Sequence, residues 1–180
     1  MRERNIIGLC GLAGSGKSTA ARLLSRELNF ARRPFAYQLK AMLSALGVDK
    51  EILDGSRESK EVPLECLGGI TARHAMQTLG TEWGRNCMRD DFWIIQWMRE
   101  IHRFTNVVAD DVRFPNEADL IRSLGGRVYK IERAGSGDRI NPGHASEAIH
   151  LIRVDGVIEN NGSEADLLAS LREVVEGVPA

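Results

Sequence analysis

The sequence predicts a three-layer α/β fold, in which a parallel sheet lies between two layers of helices. Short apolar runs of strand length alternate along the chain with segments whose apolar residues recur at helical spacing. A glycine-rich turn joins the first apolar run to the first helical segment. The chain has 180 residues, which suits one domain with a sizeable core, so we expect residues 1–180 to form a single domain.

The first strand and the first helix flank the glycine-rich turn. Residues 6–10 (IIGLC) are a short apolar run, typical of a strand buried in a parallel sheet. Residues 19–28 carry apolar side chains at helical spacing and predict a helix. Residues 32–36 predict a short extended segment around a proline. A second helix follows over residues 39–46 and ends at a glycine.

The middle of the chain predicts a polar loop and then a helix with two stripes. Residues 54–63 are rich in charge, and we expect an exposed, mobile substrate or lid segment there. A helix is predicted over 71–84, where Gly80 and Gly84 bend or end it. Its polar stripe consists of Arg73, Gln77, Thr81 and Arg85. The pattern alone leaves open whether these arginines are solvated or bind an anion.

Strands and helices alternate again in the second half of the chain. Asp90 and Asp91 precede a helix, and residues 106–111 form an apolar strand that ends in two carboxylates. Pro115 begins the next helix. The remaining predicted elements are strands at 128–131 and 155–160, and a final helix that Ser163 caps with Asp166 in its first turn. Residues 133–143, glycine-rich and polar, are the second candidate lid segment.

The glycine-rich turn has the composition of a phosphate-binding loop. Residues 11–18 (GLAGSGKS) match G-x-x-x-x-G-K-[ST] at every fixed position. Glycines let backbone N–H groups point inward around an anion, and the following helix N-terminus favours negative charge. Lys17 can bind the outer phosphates, and the Ser18 hydroxyl can bind Mg²⁺. A glycine-rich turn that binds nothing is the alternative, and the strand–loop–helix context disfavours it.

Further charged residues are predicted at the same edge of the sheet as this loop. Ligands of parallel α/β sheets bind at the carboxyl ends of the strands, where Asp110, Asp111 and Arg113 also fall. A strand-end acid in this position orients Mg²⁺ or its water. Arg113 has an alternative interpretation as the partner of Glu117 in an ion pair that ties the loop to its helix.

Composition and charge exclude several classes of function. The chain has 24 basic and 25 acidic residues, so no overall positive field attracts nucleic acid. No apolar run is long enough to span a membrane, and the first residues do not resemble a signal peptide. The three cysteines are scattered, which favours neither disulfides nor zinc. We therefore expect a cytoplasmic protein.

Several segments together resemble the deoxynucleoside monophosphate kinases typical of bacteriophages, a branch of the P-loop nucleotide kinases. The most specific are residues 80–85 (GTEWGR) and 111–118 (DVRFPNEA). The resemblance also includes residues 8–19, 35–36 with 39–40, 71–73, 77–79, 144–147 (HASE) and 160–162 (NNG), and it spans nearly the whole chain. It departs from the family pattern at Tyr37, where an Asp is common, and at Ala72, where a Pro is common. The first departure puts in doubt an acidic contact to the acceptor.

The resemblance implies a nucleoside monophosphate kinase-like P-loop fold and transfer of the ATP γ-phosphoryl to a deoxynucleoside monophosphate, with Mg²⁺. It implies that ATP is bound by Gly11, Ala13, Gly14, Ser15, Gly16, Lys17, Ser18 and Thr19. Candidates for the acceptor are Lys40, Arg73, Gln77, Glu82, Trp83, Arg85 and Glu147. The catalytic candidates are Lys17, Asp111 and Arg113, and the metal candidates are Ser18 and Asp110.

Other functions of a phosphate loop stay open at this point. A hydrolytic switch or motor is one alternative, although no guanine-reading motif is present and the chain is short for a motor. A nucleotide-binding module without chemistry is another, and a dephospho-coenzyme A kinase-like enzyme is a third. The sequence also leaves a homodimer open.

Overall fold

A computed structural model describes residues 4–136 and 149–177. The chain divides into two compact units, the first of Met1–Pro34 and Glu100–Ala180 and the second of Phe35–Arg99. The single-domain organisation stays a prediction. In chain order, the strands are β1 (Asn5–Cys10), β2 (Ala31–Arg32), β3 (Pro63–Leu64), β4 (Ile70–Thr71), β5 (Asn106–Ala109), β6 (Arg127–Glu132) and β7 (Gly156–Glu159).

Helices account for most of the remaining described residues. The α-helices are α1 (Lys17–Leu28), α2 (Tyr37–Ala45), α3 (Lys50–Asp54), α4 (Arg57–Lys60), α5 (Ala72–Gln77), α6 (Phe92–Ile101), α7 (Pro115–Ser123) and α8 (Glu164–Glu176). A 3-10 helix covers Glu65–Leu67, and a π-helix covers Thr78–Met88. None of the described helices is long and apolar enough to cross a membrane.

The first unit contains a five-stranded parallel sheet in the order β2-β5-β1-β6-β7. The central strand β1 is buried after its first residue, because strands on both sides and helices on the faces exclude water. The α/β prediction is confirmed. Gly8 has a specific role in this packing, since a Cβ there would lie 2.7 Å from Cδ1 of Ile121 on α7. The glycine therefore lets α7 approach the sheet closely.

The core of the first unit lies between β1, β5, β6 and the helices α1 and α8. Its buried members include Ile7, Leu9, Leu24, Val108, Ile131 and Leu171. Pro115 begins α7 as predicted. The predicted cap of the last helix is also confirmed, because the Ser163 hydroxyl accepts the Asp166 N–H and the Asp166 carboxylate accepts the Ser163 N–H.

The second unit is mainly helical and has its own apolar core. That core contains Leu39, Leu43, Val48, Leu53, Ala72 and Trp93. The segment 54–63, which we predicted as a loop, contains the short helix α4 instead. The Ser56 hydroxyl caps α4 by accepting the Ser59 N–H at 3.2 Å. The charged composition of the segment gave no indication of this cap. Mobility of this segment stays a prediction.

The helix predicted over 71–84 continues beyond Gly84 in a different form. The α-helical part ends at Gln77, and the π-helix follows to Met88. Both predicted breaker glycines pack against Trp93: the Gly80 carbonyl accepts its indole N–H at 2.7 Å, and a Cβ on Gly84 would collide with its ring. Within the predicted polar stripe, Gln77 and Thr81 are exposed and Arg73 is half-buried, whereas Arg85 is buried. The role of this stripe in binding an anion stays a prediction.

Candidate active site

In the first unit, the carboxyl ends of the parallel strands β5, β1, β6 and β7 lie at one edge of the sheet. Gly8 of β1 is in register with Ala109 of β5, so the segments that follow both strands leave the sheet on the same side. On the other side of β1, Asn160 extends β7 by donating its N–H to the carbonyl of Glu132 at 2.7 Å. The loop 11–18, the acids after β5 and the turn after β7 therefore share this edge.

The loop 11–18 has a backbone that only glycine adopts readily at three positions. Gly11, Gly14 and Gly16 have φ of 135°, 81° and 103°. Space is also limiting, since a Cβ on Gly11 would collide with the Ile131 carbonyl oxygen and one on Gly16 with the Asn160 side chain. Conformation and packing thus both require glycine at positions 11 and 16, and conformation alone favours it at position 14.

The loop leads directly into the N-terminus of α1. Its first turn contains no acidic residue, and Gly16 at the cap position supplies no side chain to bond the free N–H groups. Ser18 is exposed in the first turn. The buried Ser15 hydroxyl has no hydrogen-bond partner within the described part of the chain. These features suit a bound phosphate group.

The side chain of Lys17 folds back onto the phosphate-binding loop of which it is part. Its Nζ donates to the carbonyl of Gly11 at 2.7 Å and to that of Leu12 at 2.6 Å. Burial, together with repulsion from Arg113, lowers the pKa of Lys17 to about 8, and the opposing effect of Asp110 and Asp111 is weaker. Lys17, both acids and Arg113 therefore interact electrostatically at this edge of the sheet.

Asp110 is held by an arginine that sequence reasoning missed. Nε and Nη2 of Arg32 donate to Oδ2 of Asp110 at 3.0 and 2.7 Å. Asp110 is 5% exposed, and its Oδ1 has no hydrogen-bond partner among residues 4–136 and 149–177. The pair forms because β2 lies beside β5, with Arg32 in register with Val108. No local signal links positions 78 residues apart.

Arg113 is held through its backbone. The Glu117 carboxylate accepts the backbone N–H of Arg113 at 2.8 Å and that of Phe114 at 3.2 Å. Glu117 thus ties the loop after β5 to helix α7 through the backbone, and the Arg113 residue is exposed. An ion pair between the two side chains stays an alternative interpretation.

The donor set fits a Mg²⁺ ion shared with bound phosphates. No cluster of three or more His, Cys, Asp or Glu ligands occurs among the described residues. Magnesium at nucleotide sites uses one or two protein oxygens, the phosphates and water, so such a cluster is not required. Exposed Ser18 and the unbonded Oδ1 of Asp110 can supply those oxygens. They stay the predicted metal-binding residues.

The residues predicted to bind the acceptor lie in the second unit, apart from Glu147, which falls outside the described residues. Lys40 Nζ contacts Oδ1 of Asp54 at 2.5 Å, and Arg73 is ion-paired with Glu61. Arg85, 8% exposed, donates to the carbonyl of Asp90 at 2.7 Å. Gln77 and Glu82 are exposed. Trp83 is partly buried against the apolar core, edge-on to Phe92 with 5.3 Å between ring centroids.

Only the beginning of the second candidate lid segment lies within the described residues. The Ala134 N–H donates to Oδ1 of Asn161 at 2.8 Å, and Ser136 Oγ donates to the carbonyl of Arg133 at 2.6 Å. Residues 137–143 of that segment fall outside the described part. Its role as a lid stays a prediction.

Comparisons with known proteins agree with this geometry. The sequence model of the deoxynucleotide monophosphate kinase family matches residues 53–171. A protein of Acanthamoeba polyphaga mimivirus, provisionally named a deoxynucleotide monophosphate kinase, is 33% identical over 188 aligned positions that cover 95% of this chain and 96% of that protein. The chain belongs to the deoxynucleotide monophosphate kinase family. The deoxynucleoside-5'-monophosphate kinase of Escherichia phage T5 is 27% identical to this kinase. The alignment covers 65% of this kinase and 71% of the phage protein.

Solved structures share the fold of the kinase at low sequence identity. Shikimate kinase from Aquifex aeolicus superposes with a TM-score of 0.58 at 15% identity, over 96% of both chains. The protein TT1252 from Thermus thermophilus gives a TM-score of 0.53 at 20% identity, over 99% of this kinase and 100% of that chain. The predicted P-loop kinase fold and the family resemblance are both confirmed.

Proposed function

We propose that the kinase transfers the γ-phosphoryl group of ATP to a deoxynucleoside monophosphate, giving ADP and the deoxynucleoside diphosphate. The observation that carries the proposal is the loop 11–18, a glycine-lined nest that opens onto the uncapped N-terminus of α1. Family membership supports the choice of acceptor.

The donor site is proposed to lie on the first unit. The backbone N–H groups of the loop surround the ATP phosphates. The side chain of Lys17 moves from the loop carbonyls to the outer phosphates, which its ammonium group then binds. Ser18 and Asp110 would hold Mg²⁺ in the bound state. When bound, that ion neutralises charge on the phosphates.

Charge stabilisation during transfer is assigned to Arg113 beside Asp111. The bonds from Glu117 hold the backbone of Arg113 while its exposed side chain remains able to reach a ligand. A planar guanidinium can donate to two phosphate oxygens at once, which suits it to charge that develops between donor and acceptor. Asp111 is proposed to orient the attacking oxygen of the acceptor.

The acceptor is proposed to be bound by Lys40 and Arg73, with Gln77, Glu82, Trp83, Arg85 and Glu147 as further contacts. Arg73, with 39% of its side chain exposed, is ion-paired with the half-exposed Glu61. Such a solvated pair contributes little to stability, so a phosphate dianion can replace Glu61 at small cost. Arg85 is less accessible to a phosphate than Arg73 is, because it is buried and already donates to a backbone carbonyl.

A panel of acceptors tests the proposed function. ADP release from ATP and Mg²⁺ should require one of the four deoxynucleoside monophosphates and should disappear in Lys17→Ala. The ribonucleotides test sugar discrimination, and dephospho-coenzyme A tests the alternative small-molecule kinase. Equal ADP release with and without an acceptor would instead indicate a hydrolase. Nucleotide binding without any ADP release would indicate a binding module.

A further inference from the structure

Asn160 connects the end of the sheet to the phosphate loop. It is 9% exposed and lies directly after β7. Its Nδ2 donates to the carbonyl oxygen of Ser15 at 2.8 Å, across 145 residues of sequence. Its backbone N–H meanwhile bonds Glu132 at the end of β6, so the side chain extends from a fixed point of the sheet.

The bond to the Ser15 carbonyl determines where a neighbouring N–H group points. The Ser15 carbonyl and the Gly16 N–H belong to one planar peptide group, and in a trans peptide they point in opposite directions. A carbonyl directed at Asn160 therefore directs the Gly16 N–H away from Asn160. That N–H is one of the free donors at the start of α1.

This peptide group needs an external restraint, because the residue after it is glycine. Gly16 has a φ of 103°, and without a Cβ it adopts other φ values at little cost. Rotation of the Ser15–Gly16 peptide would present a carbonyl oxygen where the N–H should be. The close approach of Gly16 to Asn160, where a Cβ would collide with the amide, keeps the restraint in place.

Lys17 cannot supply that restraint throughout the reaction. It bonds the carbonyls at the other end of the loop, those of Gly11 and Leu12, and its ammonium is the group proposed to move to the ATP phosphates. The Asn160 amide has no such second task in the proposed mechanism. It can hold the loop in the same form before and after ATP binds.

We infer that Asn160 is a positioning residue of the donor site, which acts through the Ser15–Gly16 peptide to keep the loop 11–18 ready for a nucleoside triphosphate. The inference rests on the proposed function, because it takes this loop to bind the donor nucleotide. It assigns to Asn160 an effect on donor affinity and none on acceptor affinity.

The test compares Asn160→Ala with Asn161→Ala in the full chain. Asn161 is the matched control, since it is the adjacent residue of the same type and its Oδ1 accepts from Ala134 instead of contacting the loop. Calorimetric titration with ADP should show a dissociation constant about tenfold higher in Asn160→Ala, the effect of losing one hydrogen bond, and near the wild-type value in Asn161→Ala. The KM for ATP should rise in parallel, whereas the KM for the acceptor should not.

A second variant keeps the test decisive if Asn160→Ala does not fold. Asn160→Asp preserves the shape of the side chain and replaces the donor with an acceptor, so it should weaken ADP binding at least as much. Wild-type ADP affinity in either folded Asn160 variant would overturn the inference, and so would equal losses in Asn160→Ala and Asn161→Ala. Weakened ADP binding by Asn160→Ala in a protein that phosphorylates no acceptor would uphold the inference and reject the proposed function.

Discussion

The carboxylate of Glu117 accepts the backbone N–H of Arg113 at 2.8 Å and so ties the turn after β5 to the helix that follows it. Glu117 is 4% exposed and also accepts the N–H of Phe114 at 3.2 Å. One buried carboxylate thus closes the turn between β5 and α7 and caps that helix. It sets the backbone of Arg113 and leaves the guanidinium exposed.

Replacing Arg113 with Lys should lower kcat about a hundredfold, which corresponds to roughly 3 kcal/mol of transition-state stabilisation. Lysine keeps the charge but loses the planar fork that can bond two phosphate oxygens. Steady-state kinetics should show both KM values nearly unchanged. A lower melting temperature with near-normal kcat would remove Arg113 from the mechanism.

Glu117→Ala should destabilise the fold, because it leaves two backbone N–H groups without their buried acceptor. Each unsatisfied group costs about 1–3 kcal/mol, so a lower denaturation midpoint in urea is expected. Glu117→Gln is the matched control, since its amide oxygen still accepts and it should lose much less. Equal midpoints for the two variants would contradict this role for the carboxylate.

The lowered pKa of Lys17 should appear in the pH dependence of the kinase. Lys17 must be protonated to bind phosphate, and in the free enzyme its pKa is about 8. We expect kcat/KM for ATP to fall as the pH rises through that value, because this parameter reports groups of the free enzyme. Bound phosphates favour the ammonium, so kcat should fall only at higher pH. In Lys17→Arg, which stays protonated, kcat/KM for ATP should not fall over this pH range. Lys17→Ala should be inactive but folded.

The same pKa predicts the sign of a stability effect in the absence of nucleotide. Between about pH 8 and the ordinary value of 10.5, the unfolded chain binds more protons at Lys17 than the folded chain does. The free energy of unfolding contributed by this group therefore rises with pH across that window. The difference in unfolding free energy between the wild type and Lys17→Met, measured from pH 7 to 10, should follow this trend. An opposite slope would contradict the burial of the ammonium.

Arg73→Ala and Arg85→Ala should have different effects. Arg73→Ala is expected to raise the KM for the acceptor with little change in melting temperature, because its ion pair with Glu61 is largely solvated. Arg85→Ala should lower stability by about 2 kcal/mol, since it removes a buried charged donor from the carbonyl of Asp90. Thermal melting and acceptor titrations of both variants check this. A raised KM for ATP in Arg73→Ala would place Arg73 on the donor.

Gly84→Ala should destabilise the second unit, because the added methyl group would overlap the indole of Trp93. Overpacking of this kind costs about 1–3 kcal/mol. Gly80→Ala in the same π-helix is the control, since its Cβ would meet only the flexible end of Leu39 at 3.0 Å. Tryptophan fluorescence during urea unfolding measures both variants. A Gly84→Ala midpoint at or above that of Gly80→Ala would contradict the packing argument.

The phosphate loop and the order of strands and helices were predictable because their signals are local. Glycines at three positions of loop 11–18, the lysine and the following apolar stripe are consecutive in sequence, and each acts on its own stretch of backbone. The acids after β5 and the helix start at Pro115 were likewise predicted from adjacent residues. Only the strand order was needed to bring these local elements to one edge.

What the sequence could not determine are pairings between distant positions and changes of helical form. Arg32 meets Asp110, and Asn160 meets Ser15, only because β2 lies beside β5 and β7 ends beside the loop. The spacing of Glu117 from Arg113 suggested an ion pair of side chains and did not predict the bonds of Glu117 to two backbone N–H groups. Periodicity assumes an α-helix, so it did not predict the π-helix from Thr78 to Met88. The packing of Trp93 against two glycines of that helix exists only in the folded chain.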